Sequence, residues 1–282
     1  MKILITGANG MLAKDLIQIL ENQRYLVVGK THQDLDITNK DSVIKVLKQE
    51  NPDIVIQCAA YTKVDDAENN LNLARKINAK GCEIVAKACN EIDSTMIYIS
   101  TDYVFDGEKF SPYTTSDTPK PLNNYGLTKY EGELAVKNNC PKYYIVRTSW
   151  LYGNFGKNFV NTMLNLGTKY LNGEISELKV VDDQIGCPTW TKDLSEGIAK
   201  IIKNEPSYGV YHICGGGKAS WCEFAKEIFK IKGMNVKVTP CTTEEFLRPA
   251  KRPHYSVMTP SFIIRPWQEG LAEYLQDGGQ LS

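Results

Sequence analysis

The first 150 residues alternate short apolar runs with amphipathic stretches, and this alternation restricts the fold more than any other feature. The apolar runs have the length and composition of buried strands; they are Lys2–Thr6, Tyr25–Val28, Asp53–Cys58, Met96–Ser100 and Tyr144–Thr148. Apolar residues recur at helical spacing in Leu12–Asn22, Lys40–Glu50, Ala67–Glu91 and Tyr125–Asn138. A repeated strand-then-helix order predicts an α/β fold, a doubly wound parallel sheet with helices on both faces.

The residues after 150 are less regular and predict a smaller C-terminal lobe. Their patterns indicate helices at Asn158–Leu171, Thr191–Lys203 and Trp221–Ile231, and strands at Leu178–Val181, Gly209–Ile213 and Val236–Thr239. The proline-rich stretch Arg248–Pro253 predicts an ordered loop, and Asp277–Gln280 predicts a frayed tail. We expect a larger domain over residues 1–150, rejoined by 191–213, and a lobe made of 151–190 and 214–282.

Composition excludes several classes of protein. The 282 residues carry 33 Lys plus Arg and 33 Asp plus Glu, so the formal net charge is zero and gives no electrostatic case for nucleic acid or a membrane surface. The longest apolar stretches fall short of the roughly 18 residues that span a bilayer. The amino-terminal segment lacks the apolar core of a signal peptide, which predicts a cytoplasmic protein. The eight cysteines are scattered without a Cys-x-x-Cys pair, so we expect reduced thiols and no metal site.

A glycine-rich turn, GANGMLA at Gly7–Ala13, follows the first predicted strand and opens the first predicted helix. Such a turn lets the backbone approach a pyrophosphate, whose charge then lies at the helix N-terminus. This favours a Rossmann-type dinucleotide-binding domain over a purely structural turn. The expected cofactor contacts in the turn are Gly7, Asn9, Gly10, Met11 and Leu12.

The end of the second predicted strand bears on the choice of cofactor. It holds Lys30 and lacks the carboxylate that selects NAD by binding the ribose hydroxyls. A basic residue tolerates a 2′-phosphate, so NADPH is favoured, with NADH as the alternative. Asp36 follows shortly and either accepts a hydrogen bond from the adenine amino group or caps the helix that starts near Lys40.

Tyr125 and Lys129 are four residues apart at the start of a predicted helix, so they share one face. A carbonyl reductase needs a proton donor, and a phenol beside an ammonium can serve. The pair alone is equally typical of a surface helix. Thr101 follows the fourth strand directly and adds a hydroxyl that can bind a substrate oxygen.

Taken together, the motifs resemble those of the extended short-chain dehydrogenases/reductases and, more narrowly, the dTDP-4-dehydrorhamnose reductase family. The matching segments run through nearly the whole chain: ITGANGMLA, LDIT, CAAYTKVDDAE, KINA, STDYVFDG, PLNNYGLTK, VRTSWLYG, DDQIGCPT and RPAKRPHYS. The resemblance implies reduction of the C4 ketone of dTDP-6-deoxy-L-lyxo-4-hexulose to dTDP-L-rhamnose, the final step of dTDP-rhamnose biosynthesis.

The resemblance also implies roles for single residues. Tyr125 would donate the proton to O4, Lys129 would lower the pKa of Tyr125 and hold the nicotinamide ribose, and Thr101 would polarise the ketone. Asn78 matches an asparagine that orders the proton relay, or else is a helix-surface amide. The residues expected to border the cofactor after the third strand are Ala59, Ala60 and Thr62.

A further set is implied at the sugar and thymine-nucleotide end of the site. Its members are Asp102, Tyr103, Trp150, Gln184 and Arg252. Trp150 could equally be a core side chain, and Arg252 either pairs with a diphosphate or is a solvated loop charge.

The sequence leaves two alternatives open and disfavours a third. A dehydratase on this fold needs a further acid/base pair, and Tyr103 stands where the second carboxylate would be. An epimerase or a reductase of another sugar nucleotide would share most of these motifs. A non-catalytic NADP-binding regulatory subunit would share the Tyr/Lys pair. A homodimer is possible.

Overall fold

The computed structural model describes residues 1–276 and contains one six-stranded sheet and three two-stranded sheets over that range. All strand pairs of the large sheet are parallel. Its strands are β1 (Lys2–Thr6), β2 (Leu26–Lys30), β3 (Ile54–Gln57), β4 (Thr95–Thr101), β5 (Tyr143–Thr148) and β10 (Gly209–His212). Their order, β10-β5-β4-β3-β1-β2, confirms the predicted doubly wound sheet.

The strand order reverses between β1 and β3, because the chain runs outward from β1 to β2 and then crosses back to β3. Ligands of open α/β sheets bind at such a point, outside the carboxyl ends of the strands. The topology therefore places any site beside the residues that follow β1, β3 and β4.

Side-chain alternation along β1 explains why helices cover both faces of the sheet. Ile3 and Ile5 point to one core, which is shared with α1 (Met11–Asn22) and α7 (Thr191–Asn204). Leu4 points to the opposite core, which contains side chains of α2 (Lys40–Glu50), α4 (Cys82–Glu91) and α5 (Asn124–Asn139). Both faces of the sheet are thus sealed, as expected for parallel strands.

The segment predicted as one helix over Ala67–Glu91 is broken into pieces. A 3₁₀ turn at Asp66–Glu68 comes first, then α3 (Leu71–Arg75), a π-helical turn at Lys76–Gly81, and α4. The π turn contains Asn78, whose buried side chain bonds outside the helix. Such turns occur often at functional sites, and apolar periodicity does not reveal them.

The second lobe is built from short elements around its own core. They are β6 (Leu151–Tyr152), α6 (Phe159–Leu171), β7 (Leu178–Val181), β8 (Ile185–Gly186), β9 (Thr189–Trp190), β11 (Ala219–Ser220), α8 (Trp221–Ile231), β12 (Val238–Cys241) and α9 (Trp267–Gln276). A capping box between Ser220 and Glu223 starts α8. The strand predicted at Val236–Thr239 lies two residues later, and α9 and the two-residue strands were not predicted.

The predicted loop at Arg248–Pro253 has no helix or strand, and the predicted tail at Asp277–Gln280 lies outside the described residues. Over residues 1–276, none of the helices combines the length and hydrophobicity that a membrane crossing requires.

Candidate functional site

A cleft of about 1060 Å³ opens at the carboxyl ends of the central strands. It is lined by residues that follow each of the first five strands. Most of the site residues predicted from the sequence meet here: Gly7, Asn9, Gly10, Met11, Leu12, Asp36, Ala59, Ala60, Thr62, Thr101, Asp102, Tyr103, Tyr125, Lys129 and Trp150. Four others, Lys30, Asn78, Gln184 and Arg252, make contacts elsewhere, as described below.

The glycine turn after β1 brings two backbone segments together. Gly7 has a φ of +66°, and a Cβ there would lie 2.8 Å from the backbone N of Ala59. The N–H of Gly10 donates to the Gly7 carbonyl across 2.9 Å, and Gly10 precedes α1 without a side-chain cap. The first N–H groups of α1 therefore remain available to an anion in the cleft.

The sequence predicted that Lys30 contacts the cofactor, but in the structure this side chain is engaged elsewhere. Its Nζ pairs with Glu50 at 2.7 Å, and His32 instead contributes to the cleft wall. Asp36 also lines the cleft, but its carboxylate accepts from the backbone N–H and hydroxyl of Thr38, which lowers its pKa. The alternative in which Asp36 caps α2 is wrong, because Asn39 is the capping residue.

The start of α5 is pressed against the chain that follows β4. Asn123 caps this helix by accepting from the Gly126 N–H at 2.8 Å. A Cβ on Gly126 would lie 2.1 Å from the Tyr103 carbonyl, so only glycine permits this approach. The close contact brings the Tyr125 phenol near the Thr101 hydroxyl, which acts to lower the pKa of the phenol.

Lys129 is not among the groups that shift the pKa of Tyr125 in this structure. Burial raises the pKa of Tyr125 to about 12; the Thr101 hydrogen bond opposes this shift and the Asp102 charge adds to it. The ammonium of Lys129 is directed elsewhere, donating to the Ile99 carbonyl at 2.6 Å and lying 4.1 Å from the Tyr98 ring centroid. Tyr125 is therefore a protonated phenol at neutral pH.

The pKa of Lys129 is also shifted from its usual value. Burial lowers its pKa to about 8, while Glu133 and nearby cysteine thiols pull in the opposite direction. The cleft therefore contains a cation that can lose its charge just above neutral pH. This is a property of functional lysines in low-dielectric sites.

Asp102 is a buried carboxyl at the base of the cleft. It accepts from the Ser256 hydroxyl at 2.6 Å and from the Thr101 hydroxyl at 3.1 Å. Burial raises its pKa to about 6 in spite of these bonds. Ser256 belongs to the second lobe and was not predicted, since a lone serine in a loop carries no pattern.

Asn78 lies behind the cleft and is 2% exposed, which rules out the helix-surface alternative. Its amide accepts from the Tyr61 N–H at 2.8 Å and donates to the Tyr61 carbonyl at 3.0 Å. It also donates to the Thr128 hydroxyl at 3.1 Å. Asn78 thus ties the loop after β3 to the helix that carries Tyr125 and Lys129.

Trp150 forms the wall between the sheet and the second lobe. Its backbone has a φ of +48°, which is rare for a bulky residue and persists only where the surroundings enforce it. The indole stacks on Trp221 with centroids 3.5 Å apart. Gln184 accepts from the Trp221 indole N–H at 3.2 Å and donates to Thr243, so it braces this wall from behind.

Arg252 is not the solvated loop charge that one alternative expected. It makes two hydrogen bonds to Asp65, Nη1 to Oδ1 at 2.7 Å and Nη2 to Oδ2 at 2.9 Å, and it is also hydrogen-bonded to Tyr103. Asp65 follows β3, so this ion pair joins the two lobes. Asp65 lies in the CAAYTKVDDAE motif, whose residues alone do not predict a partner for it.

Comparisons with known proteins agree with this geometry. Residues 1–279 match the family model described as the RmlD substrate binding domain. A crystal structure of a dTDP-4-dehydrorhamnose reductase from Clostridium acetobutylicum is 49% identical, with 98% of this chain and 99% of that chain covered and a TM-score of 0.93. The dTDP-4-dehydrorhamnose reductase of Bacillus anthracis, solved in complex with NADP, is 45% identical with the same coverage and TM-score.

A curated relative supports the same grouping. The spore coat polysaccharide biosynthesis protein SpsK of Bacillus subtilis is 40% identical over 283 residues, which cover 98% of this chain and 97% of that protein. These matches extend over both lobes and include the glycine turn, the Tyr/Lys helix and Trp150. The chain therefore belongs to the RmlD family, the family of the dTDP-4-dehydrorhamnose reductases, as its motifs predicted.

Proposed function

We propose that this protein reduces the C4 ketone of dTDP-6-deoxy-L-lyxo-4-hexulose with NADPH and forms dTDP-L-rhamnose. The observation that carries the proposal is that the Tyr125 phenol and the Thr101 hydroxyl line one cleft, which begins at the glycine turn. Two solved relatives with near-complete coverage are named for this reduction, and one of them was solved with NADP. Site and relatives therefore point to the same chemistry.

The residues of the cleft fit a dinucleotide. The tight turn at Gly7, the uncapped start of α1 and the approach of Ala59 leave backbone N–H groups facing an anion, which suits a diphosphate. NADPH, when bound, supplies the hydride. His32, two residues after β2, is the basic side chain placed to contact a 2′-phosphate, while Lys30 is engaged with Glu50.

Tyr125 acts as the proton donor in this proposal. Because burial holds its pKa near 12, the phenol carries its proton at the pH of the cell and can give it to the developing alkoxide at O4. Thr101 directs a second hydroxyl to the same oxygen and stabilises the charge that develops there. Lys129 binds the nicotinamide ribose and places a positive charge behind the phenol.

The substrate lies between the two lobes. Asp102 and Tyr103 face the sugar, and the Trp150 indole offers an apolar wall for the nucleotide end. Gln184 and Arg252 act through their neighbours, since the first holds Trp221 and the second holds Tyr103 and Asp65. We assign residues 1–150 and 191–213 to cofactor binding and the remaining segments to substrate binding.

The state of the thiols supports a proposal for the cellular setting. All eight cysteine side chains are free in the structure, and seven of them are buried. Packed thiols of this kind suit a reducing compartment. We propose a cytoplasmic enzyme on this ground.

Turnover measurements test the proposal directly. The purified protein is given NADPH or NADH and enzymatically made dTDP-6-deoxy-L-lyxo-4-hexulose, and the product is identified by mass and NMR. Cofactor oxidation with formation of dTDP-L-rhamnose is the expected result, and the ratio of the two rates gives the cofactor preference. A different product stereochemistry indicates a reductase or epimerase of another sugar nucleotide. NADPH binding without turnover on any 4-keto sugar nucleotide indicates the regulatory-subunit alternative.

A further inference from the structure

A fully buried carboxylate lies one helical turn beyond Lys129, outside the residues used so far. Glu133 is 0% exposed and accepts three hydrogen bonds. The Ser100 hydroxyl donates to Oε1 at 2.6 Å, Arg147 Nε donates to Oε1 at 2.8 Å, and Arg147 Nη2 donates to Oε2 at 2.7 Å. A buried ion pair of this kind loses much of its Coulombic gain to desolvation, so it is weak support for stability alone.

The partners of Glu133 belong to the strands that carry the site. Ser100 immediately precedes Thr101 in β4, and Arg147 lies opposite it in β5. The Arg147 guanidinium packs on the Phe105 ring at 5.1 Å, and its Nη1 has no hydrogen-bond partner. Because Glu133 belongs to α5, these bonds fix the helix of Tyr125 and Lys129 against the strand that ends at Thr101.

The charge of Glu133 also acts on Lys129. Two charged residues four apart on one helix face are neighbours, and a negative charge favours the protonated lysine. The other titratable groups around Lys129 include the thiols of Cys58 and Cys82, the phenol of Tyr98, whose ring lies under the ammonium, and the phenol of Tyr125 one helical turn before it. Glu133 is the carboxylate among the groups that raise the pKa of Lys129 against its burial.

We propose that Glu133 is a positioning residue: through Ser100 and Arg147 it holds α5, with Tyr125 and Lys129, in place against Thr101, and it places a carboxylate one helical turn from Lys129. The proposal rests on the role given to Lys129 under the proposed function. It explains why an ion pair, instead of an apolar cluster, is buried between the catalytic helix and the sheet.

The pH dependence of the Glu133→Gln variant tests this. With the carboxylate gone and Arg147 still present, Lys129 should lose its proton more readily, so the alkaline fall of kcat/KM should move about 1 pH unit lower than in the wild type. At pH 6 Lys129 stays protonated in both proteins, so the loss that remains there measures the displacement of α5 and should be smaller than the loss at alkaline pH. Glu131→Gln is the matched control, since Glu131 is on the same helix and pairs at the surface with Arg75; its profile should match the wild type.

A second variant tests the proposal if Glu133→Gln does not fold. Glu133→Gln combined with Arg147→Met leaves no unpaired buried charge, and it should move the alkaline limb in the same direction but by less, because the positive charge of Arg147 is also gone. A uniform loss at every pH, or an unmoved limb in the folded variant, overturns the proposal. The pH dependence of NADPH affinity is measured in parallel and should move in the same direction. If the wild type binds NADPH but reduces no sugar nucleotide, the proposed function fails, and the binding profile still decides the role of Glu133.

Discussion

Thr101 donates its hydroxyl proton to Asp102 Oδ1 across 3.1 Å, although the resemblance assigns that hydroxyl to the substrate ketone. A hydroxyl has one proton to donate. When Asp102 is protonated, its own O–H can donate to Thr101, and the Thr101 proton is then free for the ketone oxygen. The ionisation of Asp102 therefore governs what Thr101 can do.

The pH dependence of folding stability should report the burial of Asp102. Its pKa is raised from 3.8 to about 6 in the folded chain, which therefore binds this proton more tightly than the unfolded chain does. The protonated Asp102 carboxyl therefore increases the free energy of unfolding at low pH. This contribution is lost as pH rises from about 4 to about 6, a change on the order of 3 kcal/mol.

Asp102→Asn, which removes the charge at nearly constant shape, should therefore be more stable than the wild type at pH 8. The difference in free energy of unfolding, measured by urea titration, should shrink as pH falls towards 4. If the free energies of unfolding of the two proteins differed by the same amount at every pH, burial would not raise the pKa of Asp102.

Tyr125→Phe removes the proposed proton donor and little else. We expect kcat to fall by about 100-fold or more, because general acid catalysis contributes at least this much. The Kd for NADPH should change by less than about twofold, since a single uncharged hydroxyl is lost far from the diphosphate. Tyr130→Phe, on the same helix and packed near Val104, is the control and should keep normal turnover. Near-normal kcat in Tyr125→Phe would remove Tyr125 from its role.

Gly7→Ala tests the backbone approach at the cofactor turn. Its φ of +66° disfavours a side chain by about 1–2 kcal/mol, and the added Cβ would also lie 2.8 Å from Ala59 N. We expect NADPH affinity to fall more than about tenfold, which is about 1.4 kcal/mol. Gly156→Ala has a similar backbone strain at φ +87° but meets no atom within 4 Å, so its effect on binding should be smaller. Equal losses would show that strain, not the contact with Ala59, matters.

Cofactor preference should depend on His32 and not on Lys30. His32→Ala should raise the KM for NADPH several-fold and leave that for NADH nearly unchanged, because only NADPH offers a 2′-phosphate to a basic side chain. Lys30→Ala should leave the ratio of the two kcat/KM values unchanged, since Lys30 is paired with Glu50. The reverse pattern would restore the assignment made from the sequence.

Many of the strands could be predicted because the apolar patterns that indicate them are local in the sequence. The apolar runs at Lys2–Thr6 and Leu178–Val181 match the observed strands, and the turn at Gly7 could be located by glycine spacing. The π turn at Asn78 could not, since it depends on side-chain bonds to Tyr61 and Thr128 from elsewhere in the chain. The two-residue strands of the second lobe carry too few residues to show a period.

The site residues also divide into those predicted from local spacing and those that depend on distant contacts. Tyr125 and Lys129 could be paired from their spacing, because a helix fixes which side chains share a face. The sequence did not predict the contact between Asp65 and Arg252, which are 187 residues apart in the chain. The same holds for Asp102 and Ser256, which are 154 residues apart.

By itself the sequence determined the order of strands and helices, the glycine turn and the residue types that meet at the carboxyl ends of the strands. It did so because parallel strands and helices impose periods that any chain segment must show. Only the tertiary structure decided the ionisation of those residues. Burial raises the pKa of Tyr125 to about 12 and lowers that of Lys129 to about 8, and these shifts depend on what surrounds each side chain. The chemistry of the site is thus a property of packing, and the sequence supplies its components.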